Sequence, residues 1–167
     1  SYVLVYTPMK RWTPLCTLVG AIPGAVPPLI GWAGARGELS GEAWTLFAIL
    51  FIWQLPHFLA LAALYRDDYA LARFPMLPLI EDDGLIASRQ IVLYGVALLP
   101  ISLFPAAAGL VARPYVYGAF LLSLLFVALA IRAAWLRSRP AARQLFLGSV
   151  VYLPLLLGWL AVNRSPF

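Results

Sequence analysis

Five long apolar runs, at about residues 13–33, 43–65, 87–111, 115–135 and 145–162, divide the chain, with acids, lysine and arginine confined to their ends. Each approaches the roughly 20 residues a helix needs to cross a hydrocarbon core about 30 Å thick. Strands of a membrane barrel would alternate polar and apolar side chains, and these runs do not. The pattern predicts an all-α fold, a polytopic transmembrane helix bundle of about five full spans that makes one membrane domain over residues 1–167. Ser1 to Tyr6 is also apolar but too short to span or to act as a signal peptide, so it is expected to be the tail of a helix that begins upstream. Pro23, Pro27, Pro28, Pro56, Pro100, Pro105 and Pro154 lie inside the runs, and because each removes a backbone donor, kinks are expected. Gly20 and Gly24 have the spacing of a close helix contact, which also arises in plain packing.

Composition sharpens the same picture. Of 167 residues, 63% are apolar and 11% charged, whereas a soluble domain carries about 25% charged residues. Disorder and collagen-like repeats are excluded as well. A single cysteine, Cys16, can form no disulfide within the chain and no thiolate metal cluster. The net charge of +5 does not form the basic stripe of a nucleic-acid binder, so it is read as membrane topology. Alternating sides places Lys10, Arg11, Arg66, Arg73, Arg89, Arg132, Arg137, Arg139 and Arg143 on one face and leaves Arg36, Arg113 and Arg164 on the other. By the positive-inside rule the first face is cytoplasmic, together with the acid-bearing loop 66–86. That loop holds Asp67, Asp68, Glu81, Asp82 and Asp83, so both signs of charge gather beside an apolar interior. Such a place suits a substrate with an ionic head and a long apolar tail.

Three features carry candidate chemistry. Lys10 and Arg11 stand at a helix entrance, where they can hold phosphate oxygens or serve as an interfacial anchor. Asp67 and Asp68, within Tyr65-Arg66-Asp67-Asp68-Tyr69, are hard oxygen donors of the kind that hold Mg²⁺ while substrate phosphates complete its shell. The alternative is a solvated loop in which Arg66 balances a neighbouring acid. Asp82 and Asp83, just before Gly84, have the look of turn residues. His57, the one histidine, lies eight residues before Tyr65, about 12 Å inside the membrane at 1.5 Å per residue. An ionisable group at that depth points to ligation, acid/base work or substrate contact, against a packing role beside Trp53, Gln54 and Pro56. Tyr94, Tyr115, Tyr117 and Tyr152 are read as interface or core residues.

The ordered motifs Tyr6-Thr-x-x-Lys10-Arg11-x-Thr13, Gly24-Ala-x-Pro27-Pro28-x-x-Gly31-Trp32, Trp53-x-x-Pro56-His57-Phe58, Asp67-Asp68-Tyr69-x-x-Ala72 and Pro75-Met76-Leu77-Pro78 extend over most of the chain. Together with Ser88-Arg89-Gln90-Ile91 and Arg143-Gln144-Leu145-Phe146, the sequence resembles the heme O synthases, or protoheme IX farnesyltransferases, a branch of the UbiA-type intramembrane prenyltransferases. Cys16 stands where that family usually has asparagine, and Arg73 where it commonly has glycine.

The resemblance implies a bundle of about nine spans around a central cavity, of which this chain would supply the end of the fourth and the last five. It implies transfer of a farnesyl group from farnesyl diphosphate to a vinyl group of heme b, giving heme O, with Mg²⁺ as cofactor. Asp67 and Asp68 would match the second acidic motif that holds the metal, and Lys10, Arg11 and Tyr6 the diphosphate contacts. Arg66, Tyr69 and Trp53 would be further substrate-binding residues, and His57 would face the porphyrin or move a proton. The first acidic motif has no counterpart in these residues, so the N-terminal half of the same protein is an expected partner and this chain alone is expected to be inactive. The lipid bilayer of a bacterial inner membrane is the expected setting. A related prenyltransferase acting on an aromatic or quinone precursor is the alternative enzyme, and a transporter or structural subunit the alternative outside enzymes.

Overall fold

The computed structural model describes residues 16–71 and 84–164. Helices α1 (Cys16–Ala25) and α2 (Pro27–Arg36) make the first span, and α3 (Gly41–Leu64) the second. A short α4 (Arg66–Leu71) follows, then α5 (Leu85–Ala107), α6 (Arg113–Leu136) and α7 (Arg139–Val162). Among the described residues, five helical stretches are long and apolar enough to cross a membrane. Each of the three longest has 24 residues, or about 36 Å of helix, enough to cross the hydrocarbon with turns to spare. No strand occurs among the described residues beyond an isolated antiparallel bridge between Val111 and Arg164.

The expected boundaries shift for identifiable reasons. The last helix starts at Arg139, earlier than the apolar run at 145, because apolarity marks where lipid begins and not where helical hydrogen bonding begins. Pro140 sits in its first turn, where a missing N–H costs nothing. The third run ends sooner, at Ala107, since Gly109 takes a left-handed φ of 72° and its N–H turns back to the Ala106 carbonyl at 3.1 Å.

Prolines act less uniformly than their number suggests. Pro56, Pro100, Pro105 and Pro154 each sit within an assigned helix that continues past them. Among the described residues only the tandem Pro27-Pro28 coincides with a break, where two successive N–H donors are lost and the Val26 carbonyl is shared by Leu29 and Ile30 at 2.9 and 3.1 Å.

The centre of the arrangement is α3. It packs on α1 and α2 on one side and on α5 and α7 on the other, while α6 joins α5 to α7 and closes a four-helix ring. Inside the ring lie Ile49, Leu98, Tyr115, Phe126, Leu145, Tyr152 and Leu156, all buried. Leu93, Leu121, Leu125, Trp135 and Val151 remain exposed on the outside, as lipid-facing side chains do, because hydrocarbon solvates them as well as a protein core would. The attachment of α1 to α3 is polar and close. Gln54 donates from Nε2 to the Ala21 carbonyl at 2.7 Å, and a Cβ on Gly24 would overlap the Gln54 side chain.

Hydroxyls lock the ring. The Tyr152 hydroxyl on α7 lies 2.7 Å from Ser102 Oγ on α5 and 3.0 Å from Ser123 Oγ on α6. Tyr115 donates its hydroxyl to the Ser102 carbonyl at 2.7 Å. Tyr115 and Tyr152 are thus core residues, as the sequence reading has them, while Tyr117 is exposed. Because Tyr152 joins three helices, Tyr152→Phe leaves two buried serine hydroxyls short of a partner and should destabilise the bundle by about 1–2 kcal/mol. Reversible unfolding in detergent measures this; a change indistinguishable from zero would contradict the locking role.

Candidate functional site

Two polar centres lie at different depths along α3. The deeper one surrounds His57. Its imidazole is stacked between Trp53, with ring centroids 4.8 Å apart and planes at 22°, and Phe146 of α7, at 4.9 Å and 28°. Phe58 meets it edge-on at 5.4 Å. His57 Nδ1 lies 2.7 Å from Ser149 Oγ, and Trp53 donates its indole N–H to the Ser149 carbonyl at 2.8 Å. Trp53 and His57 are four residues apart and share a helix face, so one residue of α7 meets both. The ring is half-buried.

The second centre is a cavity of about 540 Å³ where the C-terminal ends of α3 and α6 meet α4 and the N-terminal ends of α5 and α7. Its space comes from small residues: Ala60, Ala63, Gly84, Ala87, Ala133 and Ala142 line it, with Ile91 and Leu145. Its polar lining is Arg66, Asp67, Ser88, Arg137, Ser138 and Arg139. Among the described residues the lining thus joins three guanidiniums and one carboxylate to an apolar floor. Arg137 ends α6 with a φ of 43°, a position where glycine is usual; keeping a side chain there costs about 1–2 kcal/mol of backbone energy.

Arg139 donates from Nη2 to Asp67 Oδ2 in an ion pair. Arg139 and Asp67 lie 72 residues apart in the chain, and they meet because α7 begins next to the α3–α4 junction. Asp68 is exposed and is not part of the cavity lining, and Tyr69 is half-buried nearby. Ten residues separate His57 from Asp67, about 15 Å at helical rise, but Ala60 carries the cavity to within one turn of the histidine. Tyr6, Lys10, Arg11, Arg73, Glu81, Asp82 and Asp83 lie outside the described residues.

The donor set suits one class of metal. Among the described residues no three His, Cys, Asp or Glu side chains converge into a cage. Asp67 at the cavity and its exposed neighbour Asp68 are hard oxygen donors of the kind that could hold Mg²⁺, which keeps water and takes much of its shell from substrate phosphates.

At the opposite end, Arg36 and Arg164 both lie over the Trp32 ring, at 5.8 and 5.4 Å from its centroid. The two groups of arginines separated by the charge reading therefore occupy opposite ends of the bundle wherever they are described.

Residues 1–151 match the UbiA prenyltransferase family. The chain belongs to that family. Over 98% of its length it is 51% identical to a protoheme IX farnesyltransferase of Solibacter usitatus, covering 56% of that protein. It is 45% identical over 98% of its length to the enzyme of the same name from Koribacter versatilis, covering 55% of it. With the Myxococcus xanthus protein of that name the identity is 41%, over 99% of this chain and 56% of the relative. The chain thus spans about half the length of the curated relatives it matches. No solved structure matches it.

This UbiA-family chain is an integral membrane protein whose described polar chemistry gathers at one end of the bundle and at His57. Sequence reasoning missed Arg137, Arg139 and Ser149 as site residues, since the two arginines read as topology signals and a serine within an apolar run carries no signal of its own. The Asp67–Arg139 pair is exposed, at 74% and 61%, so Arg139→Ala should change the unfolding free energy by less than about 1 kcal/mol. Denaturant titration in micelles measures it, and a loss of several kcal/mol would show a structural pair instead.

Proposed function

We propose that the full-length protein transfers the farnesyl group of farnesyl diphosphate to a vinyl group of heme b, with diphosphate leaving and a water adding to the other vinyl carbon with loss of a proton, forming heme O. The observation that carries this reading is the cavity whose lining joins three arginines and Asp67 to an apolar floor one helical turn from the stacked His57. The names of the relatives supply the acceptor and the transferred farnesyl group.

In the ground state Arg139 neutralises Asp67. An incoming diphosphate offers more negative charge than one carboxylate, so Arg139, Arg137 and Arg66 turn to its oxygens and Asp67 is released beside Asp68. Mg²⁺ held by these two carboxylates and the diphosphate would offset charge on the leaving group as the bond to farnesyl C1 breaks. Guanidiniums fixed in advance at the lining stabilise the same developing charge with little reorganisation. The alanine-lined floor takes the start of the isoprenoid tail and keeps water from the allylic cation. Aromatic faces at Trp53 and Phe146 flank His57, where a planar porphyrin can lie against apolar rings. Lys10, Arg11 and Tyr6 belong to the diphosphate contacts, and Tyr69 is a further substrate-binding residue. By charge bias, the end bearing Arg66, Arg137 and Arg139 faces the cytoplasm of a bacterial inner membrane.

Heme O formation by full-length protein in lipid, assayed with and without Mg²⁺, tests this directly. Asp67→Ala and Asp68→Ala should each reduce turnover by at least about 100-fold, on the scale of losing transition-state charge stabilisation, with the fold intact. Normal activity in both would remove the metal site. His57→Ala should impair the use of heme b more than that of farnesyl diphosphate, and equal losses would contradict the placement of heme at His57.

A further inference from the structure

The hydrogen bonds around His57 determine which of its two nitrogens carries the proton. Ser149 Oγ lies 2.6 Å from the Phe146 carbonyl and 2.7 Å from His57 Nδ1. A carbonyl oxygen only accepts, and a serine hydroxyl has a single hydrogen. Were that hydrogen aimed at the imidazole, two oxygens would face each other at 2.6 Å with only lone pairs between them. The hydroxyl therefore donates back along its own helix to Phe146, the usual bond of a serine inside a helix. Its lone pair accepts Nδ1–H. Ser149 is fully buried, so solvent does not compete for the hydroxyl. Among the described residues Nε2 meets no hydrogen-bond partner, and the stacked Trp53 and Phe146 rings hold the imidazole plane.

We propose that Ser149 is a positioning residue that holds His57 as the Nδ1–H tautomer, so that an unprotonated Nε2 presents its lone pair to the acceptor substrate. The substrate part rests on the reading of His57 under the proposed function, whereas the tautomer stands on these contacts alone. The Trp53 bond to the Ser149 carbonyl reinforces the arrangement, since one residue of α7 then fixes both the ring's neighbour and its proton. A histidine side chain free in water favours the Nε2–H tautomer, so the serine does something that the histidine would not do unaided.

The test needs no substrate at first. In full-length protein with ¹⁵N-labelled histidine, at a pH where the ring is neutral, His57→Asn identifies the His57 signals by difference. The expected spectrum has a protonated Nδ1 and an unprotonated Nε2, and Ser149→Ala should shift the population toward Nε2–H. A wild-type ring protonated at Nε2 overturns the proposal even if the alanine variant does not fold, as does an unchanged spectrum in Ser149→Ala. In the heme O assay, Ser149→Ala should lower turnover about three- to tenfold, the scale of one net hydrogen bond, with an unchanged KM for farnesyl diphosphate. A rise in that KM with unchanged turnover would overturn the positioning role. Should the wild-type protein form no heme O while its Nδ1–H tautomer is confirmed, the reaction assignment falls and the tautomer assignment stands.

Discussion

A polar group at membrane depth has no water to turn to, and that constraint organises everything else in this bundle. Apolar contact alone gives weak direction between helices, because lipid tails satisfy leucine as well as another helix does. The few polar side chains inside the spans supply the direction instead. Gln54 reaches the Ala21 carbonyl and ties the first span to α3. Trp53 and His57 both end on Ser149 and tie α3 to α7. Tyr152 gathers Ser102 and Ser123 and so ties α7 to α5 and α6. Each bond fixes a register as well as a pairing.

Register is what connects packing to chemistry. With His57 set against Ser149, the start of α7 falls beside the end of α3, and Arg139 reaches Asp67 across 72 residues of sequence. The same alignment brings Arg66 and Arg137 to one cavity, with alanines beneath them. In the proposed reaction this gives an anionic head and an apolar body adjoining places of opposite character. A shift of one turn in α7 would move Arg139 by about 5.4 Å and separate it from the acid.

Much of this is visible in the chain before folding, and the rest is not, for physical reasons. The five spans are legible because crossing a bilayer demands about 20 apolar residues in a row. The separation of Arg36 and Arg164 from Arg66, Arg137 and Arg139 is legible because charge stays at span ends. His57 stands out because an ionisable residue deep in a span is rare. The beginning of α7 at Arg139 was hidden because helices continue past the lipid boundary into polar sequence. Ser149 was hidden because serine is common in such spans, and only three dimensions show that it meets both Trp53 and His57. The Asp67–Arg139 pair was hidden for the same reason: 72 residues of sequence separate two side chains that only the fold brings together.

In the proposed reaction the Asp67–Asp68 end of the bundle would hold a divalent ion together with an isoprenoid diphosphate. Mn²⁺ can replace Mg²⁺ as a paramagnetic probe in full-length protein carrying a nitroxide at Ser138 or, separately, at Asn163, which are about 38 Å apart along α7. Addition of Mn²⁺ with farnesyl diphosphate should strongly enhance relaxation of the label at Ser138 and leave the one at Asn163 nearly unchanged. Enhancement at Asn163 alone, or equal weak effects at both positions, would contradict the account.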